Sequence, residues 1–153
     1  MKKYIISILV CLTFFQTKFI EAIKIPIVKK IEIKEEPLIK ALMKVESNND
    51  SLAVGDTHLT EFSIGILQIR PIMVDECNRI LKLLKKDRPK FKYSDRISKR
   101  KSIEMFKLWR DYHHKGSNEE VVARNWNGGT YGYKNSKTKK YWKKVLYELQ
   151  RSI

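Results

Sequence analysis

Three short segments of this chain carry side chains suited to work on a polar ligand. Glu46-Ser47 closes an apolar run in which Leu38, Ala41, Leu42 and Val45 recur at helical spacing. Ser63-Ile64-Gly65-Ile66-Leu67-Gln68-Ile69 joins a hydroxyl, a glycine and an amide. Ala123-Arg124-Asn125-Trp126-Asn127-Gly128-Gly129 supplies an aromatic ring, amides and a glycine turn. Glu46 has the clearest chemistry. Burial against an apolar helix raises a carboxyl pKa, and the negative end of the helix dipole pushes the same way. A carboxyl that keeps its proton near neutral pH is the acid that cleavage of a glycosidic bond requires. The plainer alternative is a solvated helix-end residue, or one paired with Lys44. Asp56 and Glu61 are both candidates for a second carboxylate across a cleft.

These residues need elements to hold them, and the chain reads as mostly helical. Pro37 suits the first position of a helix that Ser47-Asn48-Asn49-Asp50 ends. Residues 52–69 predict a small β-hairpin or an irregular loop. Pro71 opens a second helix with Ile72, Cys77, Ile80, Leu81 and Leu84 as its stripe. A third runs from about Ser98 to His113, with Ile103, Phe106, Trp109 and Tyr112 facing the core, and Gly116 stops it. Ser117-x-x-Glu120 reads as a capping box for a fourth helix that ends at Gly128-Gly129. A last, very basic helix starts at Ser136 and carries Tyr141, Trp142, Val145 and Leu149. Cys77 reads as a buried, inert thiol.

The chain has 153 residues, enough for one domain, and a formal net charge of +15. That charge speaks to partners rather than to fold. A basic start and the 12-residue apolar run Tyr4–Phe15 read as a secretory signal. The expected organisation is a signal peptide over 1–22, an N-terminal arm or linker over 23–36, and a domain over 37–153. An uncleaved membrane anchor is the alternative for the first segment. Export places the protein outside the cytoplasm, secreted or periplasmic. Anionic cell-wall polymers are then the expected partners of the basic surface, and nucleic acid is not expected. His58, His113 and His114 lack metal-ligand spacing, and no phosphate-cradling glycine loop occurs, so no metal and no cofactor are expected.

The order of the three segments resembles the lytic transglycosylase (soluble transglycosylase-type) domain of the lysozyme-like superfamily. That family shows a helix ending in Glu-Ser, then a Gly-Leu-Met/Leu-Gln stretch, then a Tyr-Asn-x-Gly turn. Gly65-Ile66-Leu67-Gln68 stands for the second motif and Trp126-Asn127-Gly128-Gly129 for the third. The resemblance covers about Pro37 to Leu149. It implies a mainly α, lysozyme-like α+β domain whose hairpin or loop lines a cleft. It also implies cleavage of the β-1,4 bond between N-acetylmuramic acid and N-acetylglucosamine in peptidoglycan strands, by a monomer without cofactor. Glu46 would be the catalytic acid. Asp56, in a Gly55-Asp56 loop like that of some lysozyme-like proteins, stands ahead of Glu61 as second carboxylate. Gly65 would let substrate approach the backbone. Gln68 and Asn127 would hydrogen-bond the sugar, Ser47 and Ser63 would position the acid or the substrate, and Trp126 and Tyr131 would stack on rings. Trp126 replaces the family's usual tyrosine, and Ala53–Glu61 departs from its usual loop. A hydrolytic lysozyme therefore stands beside the transglycosylase. A non-catalytic basic module binding cell wall or nucleic acid is the alternative of another class.

Overall fold

A computed structural model describes residues 36–151; the expected signal peptide and most of the expected arm lie outside them. Five α-helices and one two-stranded sheet make up the regular structure there, so the class is mainly α as expected. Helix α1 spans Pro37–Ser47. Strands β1 (Val54–Gly55) and β2 (Ser63–Ile64) pair antiparallel, with Val54 opposite Ile64 and Gly55 opposite Ser63. Helix α2 spans Pro71–Leu83, α3 Lys99–His113, α4 Glu119–Gly128 and α5 Thr138–Arg151. Short 3-10 turns at Tyr93–Ile97 and Gly132–Lys134 precede α3 and α5.

The boundaries follow local chemistry. Pro37 and Pro71 each open their helix, where a missing N–H leaves no helical bond unmade. Helix α1 ends because Asn48 turns left-handed (φ 56°) and donates its N–H to the Lys44 carbonyl. Ser98 caps α3 and Asn118 caps α4, its Oδ1 accepting the Val121 N–H at 3.0 Å. The cap is thus one residue later than Ser117, and with Val121 at the third helical position it is a simple N-cap and not a capping box. Helix α5 begins at Thr138, two residues later than Ser136 suggested.

The core gathers Ile39, Leu42 and Met43 of α1, Ile66 and Leu67 after β2, Cys77 and Leu81 of α2, Met105 and Phe106 of α3, Ala123 of α4 and Val145 of α5. Helix α1 packs on α5, α4 on α5, and α2 on α3. Each fully buried Leu, Ile or Phe contributes about 1.5–3 kcal/mol relative to exposure, so these contacts rather than helix propensity hold the site in place. Cys77 is buried as read; its thiol donates to the Met105 carbonyl, and burial pushes it up to about 12. Three stripe residues are not core. Ile72, Leu84 and Tyr112 are exposed.

Candidate functional site

Glu46 stands in the last turn of α1, where the helix hands over to the hairpin. Ser47 fixes that junction, its hydroxyl donating 2.9 Å to the Ile66 carbonyl and also reaching the Met43 carbonyl. The Glu46 carboxyl is half-buried at the bottom of a cleft of about 410 Å³, between the hairpin on one side and the start of α2 and the end of α4 on the other. The Tyr141 hydroxyl, from α5, donates to its Oε1 at 2.6 Å, and the Trp126 side chain is a further hydrogen-bond partner.

Desolvation dominates the electrostatics and lifts the Glu46 pKa from 4.5 to about 7. The Tyr141 hydrogen bond opposes this, the negative charge of Asp56 adds to it, and the Trp126 hydrogen bond opposes it again. Burial and the Glu46 carboxylate hold the Tyr141 phenol well above its usual range, so the phenol stays the donor. Near pH 7 a large share of the Glu46 carboxyl therefore keeps its proton on the wall of the cleft, with Oε1 accepting from Tyr141.

The structure brings Glu46, Asp56, Ser63, Gln68, Trp126 and Asn127 to the walls of this one cleft. Asp56 sits exposed on the rim in a left-handed conformation (φ 53°), and its carbonyl accepts the Leu59 N–H. Glu61 is not among the lining residues; its carbonyl accepts from Arg70 Nε. Ser63 and Gln68 are engaged with each other and with the loop. Ser63 Oγ donates 2.9 Å to Gln68 Oε1, and Gln68 Nε2 donates to the Gly65 and Ala53 carbonyls. Both side chains thus hold the hairpin as well as lining the cleft. Gly55 is small because Gln68 fills its flank, where a Cβ would meet Oε1 at 2.2 Å.

Ser47 and Gly65 do not line the cleft. Gly65 faces the Arg96 carbonyl, so its missing Cβ admits protein backbone rather than a ligand. Trp126 packs edge-on against Phe106 and Trp109, with ring centroids 5.0 and 5.1 Å apart. That packing fixes the indole where it reaches Glu46. Tyr131 is 72% exposed and not among the cleft residues. Sequence reasoning placed Tyr141 on a helix stripe and missed its bond to Glu46. The one available signal was a tyrosine on the inward face, since a buried phenol seeks a polar partner.

The raised pKa makes stability depend on pH. Below about 4.5 the carboxyl holds its proton folded or unfolded. Between about 4.5 and 7 the folded chain keeps a proton that the unfolded chain releases, so stability falls as pH rises. Above about 7 up to about 3 kcal/mol is lost. Glu46→Gln should remove this slope. Denaturant titrations of wild type and variant at about pH 5 and about pH 8 read it. An unchanged slope in Glu46→Gln would show that the carboxyl ionises freely in the folded chain.

No family profile matches this chain, and no curated protein does. Among solved structures, a chain in the crystal structure of Aeromonas hydrophila PliI in complex with Meretrix lusoria lysozyme matches with a TM-score of 0.58 at 22% identity, over 72% of this chain and 87% of that chain. At this identity the likeness concerns the fold alone. It corrects the functional expectation. The match is to a chain of a PliI–lysozyme complex, and on that finding the expected peptidoglycan-cleaving activity, whether lytic transglycosylase or lysozyme, is withdrawn. The expected glycan-strand partner falls with it. The physical reason is that the motif order fixes a cleft and a raised carboxyl pKa, which are properties of packing. Both arise without any bond being cleaved, and Ser47, Ser63, Gly65 and Gln68 all have structural work in the hairpin.

Proposed function

We propose that this protein acts by binding another protein at the Glu46 cleft, in an association of the kind formed in the PliI–lysozyme complex. The observation that carries the reading is the likeness to a chain of that complex, whose two proteins are bound to each other. The cleft supplies the chemistry. A neutral carboxyl at its floor donates a hydrogen bond to a carbonyl or hydroxyl of an inserted segment, with no bare charge to desolvate. Exposed Asp56, Arg70, Ile72 and Asn127 form the rim and supply polar and apolar contacts around it. A lysozyme-like course of the backbone belongs to the same proposal, supported by the three motif segments meeting at one cleft. So does an extracytoplasmic setting, supported by the basic and apolar N-terminal sequence.

Calorimetry against Meretrix lusoria lysozyme and against PliI, in separate titrations, tests the reading. Saturable binding to one of them is expected. It should weaken about tenfold or more in Asn127→Arg, which crowds the rim without entering the core. Affinity should also fall as pH rises through about 7 and Glu46 ionises. If the lysozyme is the partner, adding this protein slows its lysis of cell walls. Absence of binding to both proteins would sink the reading.

A further inference from the structure

Helices α1 and α5 pack together, and the outer side of their seam combines clustered lysines with exposed apolar side chains. Lys139, Lys140, Lys143 and Lys144 are all exposed on α5, and Lys44 is exposed beside them on α1. Between these ammonium groups the surface is apolar. Tyr147 is 57% exposed and Leu146 39%, although both lie on a helix whose inner face already fills the core. Val45 and the Tyr147 ring meet four lysines, Lys44, Lys140, Lys143 and Lys144, in a notch of about 490 Å³ lined by one acidic residue, Glu148. One turn further on, the Arg151 guanidinium lies over the Tyr147 ring at 5.3 Å.

We propose that this face is a docking surface for an anionic lipid bilayer. Charge complementarity supplies the attraction, since clustered lysines near a bilayer surface each add to binding of acidic headgroups. The apolar notch selects among anions. A soluble polyanion gains nothing from Tyr147 in the notch or from the exposed Leu146 next to it in sequence, whereas a bilayer takes both into its interfacial zone while lysine stems lie along them. Tyrosine is suited to that boundary, with an apolar ring and a polar tip. The notch shares no lining residue with the Glu46 cleft, so a protein partner and a lipid surface engage different faces. Docking in this way would hold the cleft near an envelope surface and raise the local concentration of both partners.

Vesicle sedimentation with the full chain tests this. One set of vesicles contains phosphatidylcholine alone, and the other equal parts phosphatidylcholine and phosphatidylglycerol. Binding to the anionic vesicles should exceed binding to the zwitterionic ones and weaken with salt. Lys140→Glu with Lys143→Glu should reduce it at least about tenfold. Both positions are exposed, so the melting temperature and binding at the Glu46 cleft should stay unchanged. Leu146→Ala with Tyr147→Ala should also weaken vesicle binding, with charge preserved. Equal binding to both vesicle types, or no response to the charge reversals, overturns the proposal. So does retention of vesicle binding by the apolar pair while inorganic polyphosphate binds equally well, which would identify a soluble-polyanion site.

Discussion

Gly65→Ala should destabilise the fold by about 3 kcal/mol or more, a large effect for one methyl group. Two penalties combine. Gly65 has φ +82°, a conformation that costs an L-residue roughly 1–2 kcal/mol. The new Cβ would also stand 1.9 Å from the Arg96 carbonyl oxygen and 2.9 Å from its carbon. Relaxation is blocked because Arg96 is pinned on both sides. Its carbonyl accepts the hydroxyl of fully buried Ser102 at 2.8 Å, and its guanidinium donates to the Tyr93, Phe62 and Ile69 carbonyls. The hairpin loop must therefore move, and Gln68, which donates to the Gly65 carbonyl, moves with it. Gly116 provides the control. Its φ is +78°, yet a Cβ there meets nothing within 4 Å, so Gly116→Ala should cost only about 1 kcal/mol. Denaturant midpoints of the two variants decide the matter. If Gly65→Ala proves no worse than Gly116→Ala, the Arg96 backbone is not the obstacle the geometry makes it.

That contrast shows what the sequence could and could not disclose. Helix starts were readable because Pro37 and Pro71 act locally, through φ and a missing donor. The inward stripes of α1 and α5 were readable because period and burial coincide there. Ile72 and Tyr112 were misread as core because periodicity marks a side of a helix and says nothing of whether another element covers it. Gly65 was legible as a special position, but its neighbour was not, since the Arg96 backbone reaches it only through the fold. The site shows the same division. Glu46 was recognisable from an apolar helix and its terminal position, and the raised pKa agrees with that reasoning. Tyr141 stands 95 positions away, and no local pattern links the two. Function lay further out of reach. Three motifs in order specify where a cleft forms, while the chemistry of a cleft depends on what enters it.

The second large effect is expected at Arg124, a buried residue with 4% of its surface exposed. Arg124 organises the turn that launches α5. Its Nε donates to Thr138 Oγ1 at 2.9 Å, its Nη1 to Glu120 Oε1 at 2.8 Å, and its Nη2 to the Tyr133 and Asn135 carbonyls. Thr138 Oγ1 in turn donates to the Gly132 carbonyl at 2.7 Å, and Asn125 Oδ1 accepts the Tyr133 N–H at the same distance. The Tyr133 ring lies over the guanidinium at 4.6 Å. Arg124→Met keeps the apolar stem but leaves the buried Thr138 hydroxyl and the part-buried Tyr133 and Asn135 carbonyls without their donor, which costs about 3 kcal/mol or more. Arg124→Lys restores the charge without the planar fork that serves acceptors in different directions, so it should recover only a minor part. The consequence reaches Glu46, because Tyr141 sits one turn beyond Thr138 on α5 and donates to its carboxyl. Loosening that turn admits water and lets the Glu46 pKa fall from about 7 toward 4.5. A carbon-13 titration of the Glu46 carboxyl in Arg124→Lys, beside its unfolding curve, reads both effects in one sample. A variant that loses stability while Glu46 still titrates at about 7 would mean that the turn holds the fold but not the acid. Less than about 1 kcal/mol lost in Arg124→Met would mean that the acceptors find water and the network is not closed.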